Sequence, residues 1–125
     1  FTFEPLPDGS FASMMGVTPE QFAEQALAAG AHIIGANCGT GPDAMISIIQ
    51  RLRSVTSAPL IAMPNAGMPT LVNGETVFLE SPEEMASKVG ALIKAGATII
   101  GGCCGTTPAH IAAMANAVQT LRQAE

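Results

Sequence analysis

The sequence predicts a parallel α/β fold assembled from successive strand–loop–helix modules, and three observations carry that prediction. The first is an internal repeat: residues 29–42 read AGAHIIGANCGTGP and residues 95–108 read AGATIIGGCCGTTP, matching at ten of 14 positions with a shift of 66. A period of 66 is too long for a solenoid and fits two βα units with a third between them. The second is a set of short apolar runs, His32 to Ala36, Leu60 to Met63 and Thr98 to Gly102, without polar alternation. Such runs suit parallel strands buried on both faces. The third is that a helix start stands close behind the runs, the order expected of parallel α/β folds.

Taken in chain order, Phe1–Phe3 reads as a further strand, cut at its start. Residues 4–17 form a loop with two prolines and a glycine turn. Thr18-Pro19-Glu20-Gln21 supplies a hydroxyl N-cap, Pro at N1 and Gln at N3, which predicts a capping box and a helix with Phe22 and Ala26 inward. Gly30 then ends that helix in Ala-Gly-Ala, as Gly96 ends a later one. Gly41-Pro42 opens the next helix, with Met45, Ile48, Ile49 and Leu52 on one side. The middle run ends in Pro64-Asn65-Ala66-Gly67, and a long connection over 66–80 carries the hairpin-type pair Asn73-Gly74. Loops of that length inside a compact domain are usually functional. Ser81-Pro82-Glu83-Glu84 starts a helix with Met85, Val89, Leu92 and Ile93 inward. Thr107-Pro108 starts the last, with Ile111, Met114, Val118 and Leu121.

Composition excludes several functions. Five Lys+Arg against ten Asp+Glu give a net charge of −5, with 12% of residues charged. Nucleic acid and anionic membranes need clustered cations and are not expected partners. A hydrophobic share of 48% and a mean hydropathy of +0.37 are too apolar for disorder. The apolar runs fall short of the roughly 18–20 residues a bilayer span requires. No basic segment followed by an apolar one stands at the start, so the expected localisation is cytoplasmic, with Cys38, Cys103 and Cys104 as thiols.

The cysteines are the chemistry-bearing residues. Cys38 follows one strand and Cys103–Cys104 another, at the C-terminal strand ends where α/β folds place their sites. Adjacent modules bring those ends together, so thiols 65 and 66 residues apart can meet. Thiolates are preferred zinc ligands, and three protein ligands leave a fourth position for substrate. The alternative is that each cysteine is a small buried hydrophobe, and a disulfide to Cys38 is unexpected in a reducing compartment. Asn65, level with the cysteines, is either a turn former or a metal-proximal residue. Gly39-Thr40-Gly41 and Gly105-Thr106-Thr107 lead into helix N-termini and are candidate anion sites. His32 and His110 read as structural, with His110 at N3 of the last helix.

Asn37-Cys38-Gly39, Pro64-Asn65-Ala66-Gly67-Met68-Pro69 and the segment Gly101-Gly102-Cys103-Cys104-Gly105-Thr106-Thr107-Pro108 together resemble the homocysteine-binding domain of the zinc-dependent homocysteine S-methyltransferases. The PNAGMP segment, its long loop and the Pro-Glu-Glu-Met helix start are most similar to the cobalamin-dependent methionine synthase branch. The resemblance implies a (β/α)₈ TIM barrel with Cys38, Cys103 and Cys104 on Zn²⁺ and homocysteine sulfur as the fourth ligand. It sets Asn65 against an asparagine near the metal that fills the open position when substrate is absent. It implies methyl transfer to homocysteine giving methionine, with methylcobalamin and 5-methyltetrahydrofolate serving the parent enzyme.

A complete (β/α)₈ barrel takes about 250 residues. The expectation is therefore that residues 1–125 are the C-terminal half of the barrel, carrying the zinc site and inactive alone. The other half and the cobalamin and folate modules of a parent chain would be its natural partners. Open strand edges predict self-association. A phosphate-binding barrel enzyme with structural cysteines, and a non-enzymatic metal or redox thiol protein, are the alternatives.

Overall fold

The computed structural model describes residues 1–124; the last residue of the predicted domain, Glu125, lies outside the described residues. The centre is a parallel sheet of β3 (Ile34–Asn37), β4 (Leu60–Met63) and β7 (Ile99–Ile100), in that order. Its register pairs Ile34 with Leu60 and Ile61 with Ile99. All three C-terminal ends therefore lie along one edge of the sheet. Gly35 is required at the β3–β4 seam, because a Cβ there would overlap the Ile61 carbonyl oxygen.

The segment Phe1–Phe3 forms no regular strand, yet Phe1 behaves as one residue of a fourth. Its amino group donates to Gly35 O at 3.2 Å, and the Asn37 N–H donates to Phe1 O at 3.0 Å. Bonds to the residues on either side of Ala36 are the parallel pattern. The Phe1 ring stacks on Phe22 at 4.5 Å between centroids. Between them lies a short antiparallel pair, β1 (Glu4–Pro5) with β2 (Phe11–Ala12), inside the segment expected to be a loop.

The predicted helix starts are present. Thr18 and Ser81 each make the full capping box, with Gln21 and Glu84, at the heads of α1 (Pro19–Ala28) and α3 (Pro82–Ser87). Thr107 makes one with His110 at α5 (Pro108–Gln123). Helix α2 (Pro42–Arg53) buries Met45, Ile48, Ile49 and Leu52 completely against β3 and β4. At about 1.5–3 kcal/mol per buried large aliphatic side chain, this face is the main stabilising contribution. The Asn73-Gly74 pair makes the hairpin of β5 (Pro69–Val72) and β6 (Glu75–Phe78), both residues at positive φ as a tight two-residue turn demands.

Three expectations are corrected. The helix from Pro82 is broken: α3 ends at Ser87 and α4 (Val89–Ala95) begins after Lys88. At the break Ser87 Oγ donates to Glu84 O at 2.6 Å and the Lys88 N–H to Met85 O at 3.1 Å. Strand β4 matches its apolar run, but β3 and β7 are shorter than theirs, and β4 and β7 are not buried on both faces as Ile34, Gly35 and Ala36 of β3 are. Leu60 and Ala62 are fully covered, but Ile61 and Met63 on the opposite face are half-exposed. Ile33 is 50% and Ile99 41% exposed, because no second layer among the described residues covers that face. Finally, Ile93, Ile111 and Leu121 are exposed, so the stripes of α4 and α5 are only partly used. Among the described residues no helix is long and apolar enough to cross a membrane.

Candidate metal centre

Each thiol sits in a tight loop just past a strand end. Cys38 follows β3 directly and adopts φ +58, a left-handed conformation uncommon outside glycine, aspartate and asparagine. It is held there by its N–H to Met63 O at 3.1 Å and by its own carbonyl, which accepts Thr40 N–H at 2.7 Å. Cys103 donates its N–H to Pro64 O at 2.9 Å, and its carbonyl accepts Thr106 Oγ1–H at 2.7 Å. The Cys104 N–H goes to Asn65 Oδ1 at 3.0 Å, and its carbonyl accepts Ala66 N–H at 2.9 Å. Gly105 follows at φ +81, with Phe78 of the hairpin packed where its Cβ would be.

The result is a compact trio of sulfurs. The three Sγ atoms all lie within 4.8 Å of one another, and Cys38 and Cys104 Sγ are 3.5 Å apart. Tetrahedral zinc–thiolate bonds of about 2.3 Å place sulfurs about 3.8 Å apart, so the spacing fits a single zinc ion. Cys38 and Cys103 are half-buried and Cys104 is exposed, leaving the cluster open to solvent on one side. The thiols also divide the charge. Donation from Cys103 and then Cys104 holds the Cys38 thiol below the ordinary thiol value. Cys104, hydrogen-bonded to Cys38 and then Cys103 and facing their charge, is pushed up to about 11. In the metal-free cluster Cys38 therefore ionises at lower pH than Cys104.

The other candidates separate from this centre or support it from outside. Asn65 is 5% exposed, and its Oδ1 is engaged by the Cys104 peptide. His110 accepts the Thr107 N–H at Nδ1, which leaves Nε2–H to donate to Glu80 O at 2.7 Å. It staples the end of the hairpin connection to α5. His32 is exposed and lies two residues ahead of β3, outside the strand it was expected to begin and at the end away from Cys38. The Gly105-Thr106-Thr107 turn spends its groups internally, on Cys103 O and on the α5 cap. At the Gly41 end of α2 no side chain caps the helix, and buried Thr40 Oγ1 has no hydrogen-bond partner. The adjoining cleft is lined by the carboxylates Asp43 and Glu80, which oppose a phosphate.

What sequence reasoning missed is the part played by Met63–Ala66. This loop carries no thiol, yet its groups bond the backbones of all three cysteines. The sequence did set Asn65, at the end of the middle strand, level with the cysteines, but nothing in it marked the backbone bonds of this stretch.

Residues 1–118 match the family model for homocysteine S-methyltransferase. The chain belongs to the homocysteine S-methyltransferase family. Among curated relatives of this family member, the methionine synthase of Mycobacterium tuberculosis is 39% identical over 97 residues, covering 77% of this chain and 8% of that protein. The methionine synthase of Mycobacterium leprae is 41% identical over 90 residues, covering 71% and 8%. The chain thus spans only 8% of the length of these relatives. Among solved structures, the metallated form of the Escherichia coli homocysteine methyltransferase MmuM superposes with a TM-score of 0.62 at 28% identity, covering 79% of this chain and 29% of that one. Its apo form gives 0.64 at 27% identity, covering 82% and 34%.

Proposed function

We propose that this chain carries the zinc-binding part of a homocysteine-methylating site, with Cys38, Cys103 and Cys104 as the ligands of one Zn²⁺ and a fourth position open to the homocysteine sulfur. The observation that carries this reading is the convergence of three thiols from two separate modules to within 4.8 Å. The metallated MmuM structure and the methionine synthase relatives support it. Zinc bound there supplies the Lewis acidity that keeps a substrate thiol deprotonated near neutral pH, where a free thiol is mostly protonated.

The chain's own groups set the rest. Three thiolates fix the ion at the sheet edge, and the exposed side of Cys104 gives a substrate sulfur its approach. Methyl transfer then forms an S–CH₃ bond on homocysteine as the bond from methyl to its donor breaks, giving methionine. The methionine synthase relatives favour methylcobalamin as that donor, recharged from 5-methyltetrahydrofolate on other parts of a parent enzyme.

Residues 1–125 correspond in this reading to the second half of a (β/α)₈ barrel. The half-covered face of β4, the exposed edge of β7 and the parallel bridge of Phe1 to β3 support it. The same edges favour pairing with the complementary barrel half, or self-association in its absence. The chain alone is expected to hold zinc without turning over.

Metal analysis of chelator-free protein tests the reading. About one zinc per chain is expected, lost in Cys38→Ala, Cys103→Ala and Cys104→Ala alike. Zinc retained through all three substitutions would refute it.

A further inference from the structure

A ring of hydrogen bonds leaves the Cys104 turn, runs through the hairpin connection and returns to the same turn. The Cys104 carbonyl accepts Ala66 N–H at 2.9 Å, and the Ala66 carbonyl accepts Glu80 N–H at 3.1 Å. The Glu80 carbonyl accepts His110 Nε2–H at 2.7 Å, and His110 Nδ1 accepts Thr107 N–H at 3.2 Å. Thr107 lies just past Cys104 in the chain, so the ring closes there. The first two bonds join main chain to main chain and survive any side-chain change. His110 is the one side chain in the ring; it is 7% exposed, and both its nitrogens are spent there. The other two capping boxes show that the cap itself does not call for histidine. Gln21 in α1 and Glu84 in α3 hold the same N3 position and accept their N-cap N–H groups. What the imidazole adds at α5 is a donor on the far side of its ring, and that donor goes to Glu80.

We propose that His110 is a positioning residue of the metal centre: donating from Nε2 to Glu80 O while accepting Thr107 N–H at Nδ1, it ties the hairpin connection to the Cys104 turn and keeps Cys104 Sγ within reach of the other two sulfurs. This rests on the zinc reading above. It differs from helix capping, which any acceptor at N3 performs, because it needs the second nitrogen. Slack in the ring falls on Cys104, which is exposed and precedes a glycine at φ +81. Cys38 and Cys103 are held by Met63 O and Pro64 O, outside the ring.

The test compares wild type, His110→Glu and His110→Gln, each loaded with zinc, by chelator competition and by residue-resolved thiol alkylation read by mass spectrometry. The two variants have the same shape and both keep the cap acceptor, but only the glutamine amide retains a donor. His110→Glu should lose about 10- to 100-fold in zinc affinity, the usual effect of removing a group that orients a ligand. Its helix content by circular dichroism should stay at the wild-type level. Cys104 should become alkylatable in it while Cys38 and Cys103 stay protected. His110→Gln should bind zinc more tightly than His110→Glu and restore protection of Cys104. Wild-type affinity and protection in His110→Glu would overturn the proposal. So would equal losses in both variants with all three cysteines unprotected together, the mark of a loosened fold. Should the variants fail to fold, nitrogen-15 spectra of the wild-type imidazole without metal decide. An Nε2–H tautomer with a slowly exchanging proton is expected, and an Nδ1–H tautomer would overturn the proposal. A wild type that binds no zinc refutes the metal reading and this proposal together. A wild type that binds zinc beside an equally tight His110→Glu refutes the proposal alone.

Discussion

Gly105→Ala isolates how the hairpin supports the cysteine cluster. Gly105 sits at φ +81, where an L-residue costs about 1–2 kcal/mol. The new methyl would also overlap Phe78 Cβ and Cγ and stand 2.8 Å from Phe78 Cδ2. Overpacking of that kind costs about 1–3 kcal/mol. The expected loss is therefore about 2–5 kcal/mol, a large part of the roughly 5–15 kcal/mol that stabilises a typical domain. Gly74 is the matched control: its φ is +80 and nothing lies within 4 Å of a built Cβ. Gly74→Ala should show the conformational cost alone. Urea unfolding of both variants, with m unchanged, gives the difference, expected to be about 1–3 kcal/mol. Because Gly105 adjoins Cys104, zinc affinity should fall in Gly105→Ala and hold in Gly74→Ala. Equal destabilisation with equal zinc affinity would refute the idea that Phe78 braces this loop.

Three further outcomes are expected. Leu52→Ala, emptying a fully buried position between α2 and the sheet, should cost about 2–5 kcal/mol in chemical denaturation without changing which thiols zinc protects. The paired Glu20 carboxylate is held below its ordinary value, chiefly by the Arg51 hydrogen bond, so the pair stabilises above that value and the contribution vanishes as pH falls through the lowered one. Both partners are about one-third exposed, so Arg51→Ala should cost less than about 1 kcal/mol at pH 7 and nothing in strong acid, read from thermal unfolding against pH. In metal-free protein, alkylation of Cys38 should rise at lower pH than that of Cys104, whose rate should climb only as pH approaches 11. Identical pH profiles for the two would contradict the division of charge in the cluster.

Local chemistry was the legible part of this chain. Thr18 and Ser81 announce their helices because a capping box satisfies orphan N–H groups within four residues, and Thr107 does so through the proline that follows it. Asn73-Gly74 does the same for its hairpin. The placement of Cys38, Cys103 and Cys104 at strand ends followed from the repeat, since parallel modules in sequence become neighbours in the sheet. What stayed hidden depends on partners remote in sequence. The break at Lys88 lies inside a continuous apolar stripe, and apolar spacing is blind to it. The open face of Ile61 and Met63 depends on what else packs there, and an apolar run reads the same whether or not a second layer is present. The left-handed Cys38 needs Met63 and Thr40 to hold it, and the Asn65–Cys104 bond spans 39 residues. Neither leaves a local mark.

Zinc X-ray absorption on the reconstituted chain, with a phosphine reductant in place of added thiols, tests the central claim most directly. Three sulfurs at about 2.3 Å and one light-atom ligand are predicted. Two or fewer sulfurs, or four without added thiol, would contradict it.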